Sequence, residues 1–196
     1  MPSPLTLARL TPALLPEWLA FFDGPAFADN PEWGTCYCRC LIFGAHGRAA
    51  WDQACGTPGE NRAAMCTAIA AGEVDGVLAR RDHTTVGWLH FGPASRFVSP
   101  IGTRWGTDAH EGAVACFMVA LDHRRTGVGR AMLRFACEAL AAEGCRAVNA
   151  WATVPGDDAA MHQFTGPLSL YREEGFAPVG EPTPGAKRVF VSKPLR

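Results

Sequence analysis

Hydrophobic and polar positions follow strand and helix patterns along most of this chain. Alternating or continuous apolar runs predict strands at 4–10, in a hairpin over 75–92, and at 114–121, 147–154 and 187–195. Helical periodicity predicts helices over 11–24, 59–73 and 166–174, and another that follows the 114–121 strand and ends at Gly144. Residues 93–112 are rich in Gly, Pro and Ser, and they are predicted to form a loop.

The strongest pattern lies in the second half of the chain. The run "VACFMVAL" at 114–121 is apolar throughout, which is typical of a strand covered on both faces. The helix after it carries a core-facing stripe of Met132, Phe135, Ala136, Ala139 and Leu140. Arg134 and Glu138 are spaced to pair on its outer face. Strand, helix and strand at this spacing indicate a right-handed crossover that joins parallel neighbours.

Two other segments are less regular. Residues 25–57 are rich in Gly, Cys and Trp, and no regular element is predicted there. Asp157 and Asp158 suit a turn and a helix N-cap. Thr11 is predicted to be the N-cap of the first helix. Neither an internal repeat nor a linker is found, so residues 1–196 are predicted to form a single domain.

Composition narrows the class of protein. The net charge of −1 argues against a nucleic-acid binder, whose surface would be broadly basic, and no apolar run is long enough to cross a membrane. The N-terminal sequence lacks a signal-peptide pattern, which predicts a cytoplasmic protein whose eight cysteines are reduced. The protein is expected to be a monomer or a homodimer.

Three arginines and two glycines crowd into "RRTGVGR" at 124–130, between the buried strand and the helix. A bare turn, that is, one whose glycines leave the backbone uncovered by side chains, exposes backbone N–H groups at the positive end of the helix dipole. These exposed groups make an anion site. Arg124, Arg125 and Arg130 add donors suited to phosphate oxygens. The turn therefore predicts a polyphosphorylated ligand.

Two common phosphate motifs are excluded. A P-loop needs Lys and Ser or Thr after its last glycine, and here Arg130 and Ala131 follow Gly129. A dinucleotide fingerprint needs a third glycine, and Met132 stands in its place.

The remaining pattern, Arg124-x-x-Gly127-x-Gly129, resembles the pyrophosphate-binding signature of the GNAT superfamily of acyl-CoA-dependent N-acetyltransferases. The segment from Tyr171 to Phe176 resembles the "Y-x-x-x-G-F" motif that closes this domain. "FADNPEWGTCYC" and "GPLSLY" are similar to a little-characterised subgroup with a Cys-Tyr-Cys segment.

The resemblance implies an α/β (α+β) fold with a mixed, mostly antiparallel twisted sheet. A central parallel strand pair splays apart, and helices flank the sheet. It implies transfer of an acetyl group from acetyl-CoA to a primary amine of a small molecule or peptide, without a metal. The alternative is a catalytically degenerate domain that binds acyl-CoA as a sensor or partner module.

The resemblance also implies roles for residues. Backbone N–H groups around Phe117, Met118 and Val119 would meet the pantetheine arm, with Met118–Val119 as the oxyanion contact. The pyrophosphate would rest on the turn, that is, on Arg124, Arg125, Thr126, Gly127, Val128, Gly129 and Arg130. Tyr171 would be the general acid, with Tyr37 as its rival. Glu111 and His90 are the candidate bases, and Asp108 and His110 are weaker ones.

The acceptor side is assigned to the irregular segment, with Trp33, Tyr37 and Cys38 as candidate substrate contacts. The "CYCRC" run places Cys36, Cys38 and Cys40 at alternate positions, where neighbouring side chains stand about 7 Å apart on a strand. Three interpretations stay open, namely packed thiols, a wall of the substrate pocket, or a metal site, although the spacing matches no common zinc ligand set. A disulfide within the run would be strained.

Overall fold

The computed structural model describes residues 3–154, 164–180 and 185–195, so the Asp157 and Asp158 cap lies outside the described residues. Seven strands form one sheet in the order β1-β2-β3-β4-β5-β7-β6. The strands are β1 Thr6–Arg9, β2 Gly76–Arg81, β3 Thr84–Pro93, β4 Glu111–Val119, β5 Ala147–Thr153, β6 Ala177–Pro178 and β7 Arg188–Pro194. The helices are α1 Leu15–Phe22, α2 Arg48–Gly56, α3 Glu60–Ala70, α4 Val128–Ala142 and α5 Leu168–Glu173.

One pair of neighbours in this sheet, β4 and β5, is parallel, and the other named pairs are antiparallel. The parallel register runs from Glu111 opposite Ala147 to Val114 opposite Ala150 and then stops, although both strands continue. The two strands therefore separate towards their C-terminal ends. This mixed sheet with its opened parallel pair confirms the expected fold class.

The sheet has a core on each face. On one face α4 buries Met132, Ala136 and Leu140, which confirms the centre of the predicted stripe, while Phe135 and Ala139 are partly buried. On the other face α1, α3 and residues 26–41 pack over β3 and β4. Successive side chains of β3 point to opposite faces of the sheet, so Leu89 belongs to the first core and Trp88 to the second.

Several local predictions need correction. Residues 25–57 contain α2, whose Trp51 and Ala54 are buried, and tertiary packing stabilises this short helix where periodicity alone gave no signal. Helix α1 begins at Leu15, because Pro12–Leu14 forms a separate 3-10 turn after Thr11.

The outer face of α4 also differs from the prediction. Arg134 makes two hydrogen bonds, of 2.8 and 3.0 Å, to the carboxylate of Glu174 at the end of α5. A bidentate pair of this kind is a better partner than the predicted Glu138 in the next helical turn. Helix α4 does end as predicted, since Gly144 has φ 87° and Cys145 donates its N–H to the Leu140 carbonyl at 3.0 Å.

Candidate functional site

The turn between β4 and α4 has the bare backbone that its sequence predicts. Gly127 adopts φ 87° and directly precedes the first residue of α4. A side chain at Gly127 would strain this left-handed backbone, although the space around it is open. The first N–H groups of α4 lack intrahelical partners and point out of the helix at this end. The turn can therefore bind an anion through peptide amides.

Two of the three arginines of the turn already have carboxylate partners. Arg124 donates to both carboxylate oxygens of Asp29, at 2.6 and 2.9 Å, and its Nε donates to the Val119 carbonyl at 3.0 Å. Arg130 pairs with Glu173 and lies 3.2 Å from the Glu174 carboxylate. Arg125 is exposed and forms no salt bridge within the described residues. Arg125 is therefore the turn cation available to a phosphate, whereas Arg124 fixes the turn.

A groove of about 570 Å³ starts at this turn and follows the C-terminal half of β4. The predicted cofactor residues Phe117, Met118 and Val119 line it, as do most residues of the turn. Trp33, predicted as an acceptor contact, also lines it. Asp29, Phe27 and Phe164 also belong to the wall, and none of them was predicted as a site residue. The sequence signal for Asp29 and Phe27 was their place in "FADNPEWGTCYC", which is similar to the subgroup with a Cys-Tyr-Cys segment.

The gap between β4 and β5 is bridged by residues 164–167. The Phe117 N–H donates to the Phe164 carbonyl at 2.6 Å, and the Thr153 N–H donates to the Gly166 carbonyl at 2.8 Å. Phe164 also packs edge-on against Trp33, with 5.1 Å between ring centroids. In this conformation the segment holds the Phe117 N–H, one of the backbone donors that were expected to meet the pantetheine arm.

Strand geometry corrects the expected oxyanion contact. Successive residues of a strand direct their N–H groups to opposite edges. Since the Phe117 N–H points into the gap, the Met118 N–H points to β3, where Met118 opposes Trp88. The N–H groups that face the gap therefore belong to Phe117 and Val119, and the Met118 amide is part of the sheet.

Tyr171 lies behind the bridging segment. Its side chain is fully buried, and its hydroxyl donates to the Thr165 carbonyl at 2.8 Å. Burial raises the pKa of this phenol well above its ordinary value. Its ring packs edge-on against Phe117 and Phe176. In this arrangement Tyr171 holds residues 164–167 in place, and it does not line the groove.

The two candidate bases are also away from the groove. His90 is 3% exposed, packs against Trp88 and Phe97, and has its pKa lowered to about 4 by burial. Glu111 begins β4, six residues or roughly 20 Å from Phe117. It lines a separate, shallow cavity with Asn149. Asp108 and His110 lie beyond that end of the strand and are exposed. The structure therefore does not bring these groups to the groove.

The remaining acceptor candidates face other parts of the protein. The Tyr37 hydroxyl donates to the Asp23 carboxylate at 2.7 Å, and burial, with Asp23 beside it, raises the pKa of Tyr37 to about 12. Cys38 is buried against Cys116. Neither residue lines the groove. Within the described residues, His, Cys, Asp and Glu side chains form no group of three that could hold a metal ion.

Comparison with known families identifies the chain. Residues 48–166 match the sequence profile of the Acetyltransferase (GNAT) family. The chain belongs to the GNAT acetyltransferase family. GNAT acetyltransferases are acyltransferases, and the bare turn of this member stands where the sequence signature predicted it. No curated protein matches the chain.

Solved structures share the GNAT fold along nearly the whole chain. The PaiA N-acetyltransferase of Thermoplasma acidophilum, in complex with coenzyme A, has a TM-score of 0.57 at 11% identity, covering 98% of this chain and 99% of that one. A ribosomal-protein-alanine N-acetyltransferase from Brucella melitensis has 0.56 at 19%, covering 97% and 99%. The putative acetyltransferase YncA from Salmonella typhimurium, with its cofactor acetyl-CoA, has 0.55 at 15%, covering 98% and 94%. At these identities the likeness shows the fold.

The described residues include no helix that is both long and apolar enough to cross a membrane.

The Asp29–Arg124 pair gives a testable stability effect. Arg124 lowers the pKa of Asp29 through their hydrogen bonds, so the pair stabilises the fold above about pH 4, and this contribution is lost as pH falls through the lowered pKa. We expect Asp29→Asn to lower the free energy of unfolding by about 1 kcal/mol at pH 7, measured by urea titration.

The difference between Asp29→Asn and wild type in the free energy of unfolding should persist down to about pH 4 and narrow as the pH falls below it. Asp52→Asn is the matched control, because Asp52 pairs with Arg48 on an exposed helix face and should change the free energy of unfolding much less. Equal effects of the two variants would contradict a special role for Asp29.

Proposed function

We propose that this protein transfers an acetyl group from acetyl-CoA to a primary amine of a small molecule or a peptide. The observation that carries the proposal is the groove, in which exposed turn amides lead directly to the opened edge of β4. The diphosphate would bind the first amides of α4 and Arg125. The pantetheine arm would lie along β4 as an added strand. Two structural neighbours with bound coenzyme A or acetyl-CoA support this cofactor.

The reaction would join the amine nitrogen to the thioester carbonyl carbon and break the carbon–sulfur bond. Negative charge would build on the carbonyl oxygen in between, and the amine nitrogen would lose one proton as the amide forms. The coenzyme A sulfur would leave as a thiolate and take up a proton to become the free thiol. The Phe117 N–H faces the gap and can donate to this oxygen once the Phe164 carbonyl moves from it. One such donor contributes about 3–4 kcal/mol to barrier lowering.

A Tyr171 variant tests whether this side chain donates the proton to the leaving thiolate or positions residues 164–167. In this conformation its hydroxyl is committed to the Thr165 carbonyl, so we propose that it positions residues 164–167. We expect Tyr171→Phe to lower the free energy of unfolding by about 1–2 kcal/mol, because a buried carbonyl loses its donor. The measurement is denaturant unfolding beside kcat and KM on the same preparation.

A different result would restore Tyr171 as the general acid. That result is a loss of kcat of about 100-fold or more with unchanged stability and unchanged acetyl-CoA affinity. Phe176→Leu is the matched control, because Phe176 packs on the same ring without a hydroxyl.

The second candidate function is an acyl-CoA-binding module without turnover. It is favoured by one observation, namely that Tyr171, Glu111 and His90, the main acid–base candidates, all lie outside the groove. Both functions require the turn and the β4 edge, so cofactor binding alone does not separate them.

One experiment in two stages tests both functions. Thermal shift and calorimetry with acetyl-CoA, CoA, ATP and NAD come first, and we expect stabilisation by the two coenzyme A species alone. Release of free CoA is then followed with a panel of amines that includes a peptide with N-terminal alanine, as the name of one neighbour suggests. Turnover supports the enzyme, binding without turnover supports the module, and absence of binding overturns both.

A further inference from the structure

Two cysteines from distant parts of the chain meet in the core between residues 26–41 and the sheet. Cys38 belongs to the irregular segment and Cys116 to β4, and their Sγ atoms are 2.8 Å apart. Carbon atoms in van der Waals contact lie about 3.5–4.0 Å apart, and sulfur is larger than carbon. The two sulfur atoms are therefore closer than an ordinary non-bonded contact. The side chains are nearly sealed from solvent, because Cys38 is 3% exposed and Cys116 is 5% exposed.

An unusual turn brings Cys38 to this place. Tyr37 and Cys38 both adopt left-handed backbone, with φ 47° and 57°, and Arg39 donates its N–H to the Cys36 carbonyl at 2.9 Å across the turn. Two consecutive left-handed residues other than glycine cost free energy, and surrounding structure must hold them. Here the turn directs one thiol of the "CYCRC" run onto β4.

Other cysteines do not share this arrangement. Cys36 and Cys40 flank the turn and are partly buried, and Cys55 lies on α2. Among the described residues, no other pair of cysteine sulfurs is in hydrogen-bond contact. The geometry therefore selects one pair from the cluster.

We propose that Cys38 and Cys116 are a redox modification site that forms a disulfide when the protein meets a peroxide. One thiol, as its thiolate, attacks the peroxide oxygen, which yields a sulfenic acid and one water molecule. The second thiol then attacks that sulfur, forms the S–S bond and releases a second water molecule. The two thiols are oxidised, and the peroxide is reduced to water.

Burial sets the rate of this reaction. It raises the pKa of the Cys38 thiol well above the ordinary value, with the Cys116 sulfur as the next cause, so thiolate is scarce. Oxidation then requires transient opening of the 36–39 turn and proceeds slowly. Cytosolic disulfides of this kind are characteristically transient.

The bond would connect two parts of the groove. Cys116 directly precedes Phe117, and the segment that contains Cys38 also carries Asp29 and Trp33 of the groove wall. The disulfide would therefore tie the wall to the strand that it covers. The inference concerns the thiols alone and does not depend on the proposed enzyme activity.

The test uses the full chain treated with hydrogen peroxide over several hours. We expect the number of titratable thiols to fall from eight to six, with restoration by dithiothreitol. Non-reducing peptide mapping should show a cross-link to the Cys116 peptide, and the cross-linked form should melt on the order of 5 °C higher.

Single variants identify the partner. The cross-link should persist in Cys36→Ser and Cys145→Ser and disappear in Cys38→Ser and Cys116→Ser. A cross-link between other cysteines, or oxidation of exposed thiols to sulfinic acid with Cys38 and Cys116 still reduced, would overturn the proposal. If Cys38→Ser does not fold, the non-reducing peptide maps of wild type and Cys36→Ser decide whether Cys38 is the partner of Cys116.

Discussion

Gly129→Glu is expected to weaken acetyl-CoA binding about 100-fold while leaving the fold intact. Gly129 is the second residue of α4, and its backbone is not in the left-handed region. A Cβ atom built there meets Leu170 and Phe117 at 3.8 and 3.9 Å, which is ordinary contact. A carboxylate in the first helical turn stabilises the helix through its dipole, so the melting temperature should stay or rise. The same carboxylate repels a diphosphate bound to the turn amides.

Gly129→Ala is the matched control for the charge, because it adds only the Cβ atom. We expect calorimetry to rank acetyl-CoA affinity as wild type, then Gly129→Ala, then Gly129→Glu. If Gly129→Glu binds acetyl-CoA as wild type does, the cofactor's phosphates do not rest on this turn, and the proposed function loses its main support.

Gly76→Ala is expected to be the most destabilising conservative change, lowering the free energy of unfolding by about 3 kcal/mol. Gly76 begins β2, where a Cβ atom would overlap the Cη2 and Cζ3 atoms of Trp88 and lie 2.8 Å from the Leu89 carbonyl oxygen. Trp88 is fully buried and packs against Trp18 and Phe22, so its ring cannot turn aside. Urea unfolding measures the effect.

The control for this change is Gly56→Ala at the end of α2. An added Cβ meets no atom within 4 Å there, and the backbone is not left-handed. Gly56→Ala should be neutral or slightly stabilising, since alanine favours helix. A similar loss of stability in both variants would show that the close fit of Gly76 against Trp88 does not govern this effect.

The groove shows how far local sequence could predict the site. The turn at 124–130 was predictable, because its glycines, its arginines and the flanking strand and helix are contiguous in the chain. Asp29 was not predictable, because its role depends on a bond to Arg124, 95 residues away. Phe164 was missed for the same reason, since its contact with Phe117 is set by where the chain crosses the gap.

The catalytic assignments were transferred by motif, and tertiary packing changed their meaning. Tyr171 stands in the expected motif, yet its hydroxyl is held by Thr165. His90 lies on β3, in the predicted hairpin, but it faces the second core. Glu111 was predicted in the loop at the entry to the central strand, and it is the first residue of β4, at the end far from the groove. Sequence patterns predict that a residue lies on a strand. Whether its side chain reaches a ligand depends on the face of the sheet to which it points and on its position along the strand.

The sequence by itself determined the glycine-rich turn between a buried strand and a helix, since periodicity and glycine placement act within a few neighbouring residues. The family and the mixed sheet followed from the resemblance of its motifs to GNAT acetyltransferases. Only the tertiary structure decided which groups line the groove, that Arg124 is paired with Asp29, and that Cys38 meets Cys116. The physical reason is that these contacts join segments far apart in the chain. They depend on the packing of residues 26–41 against the sheet, and no local pattern encodes it.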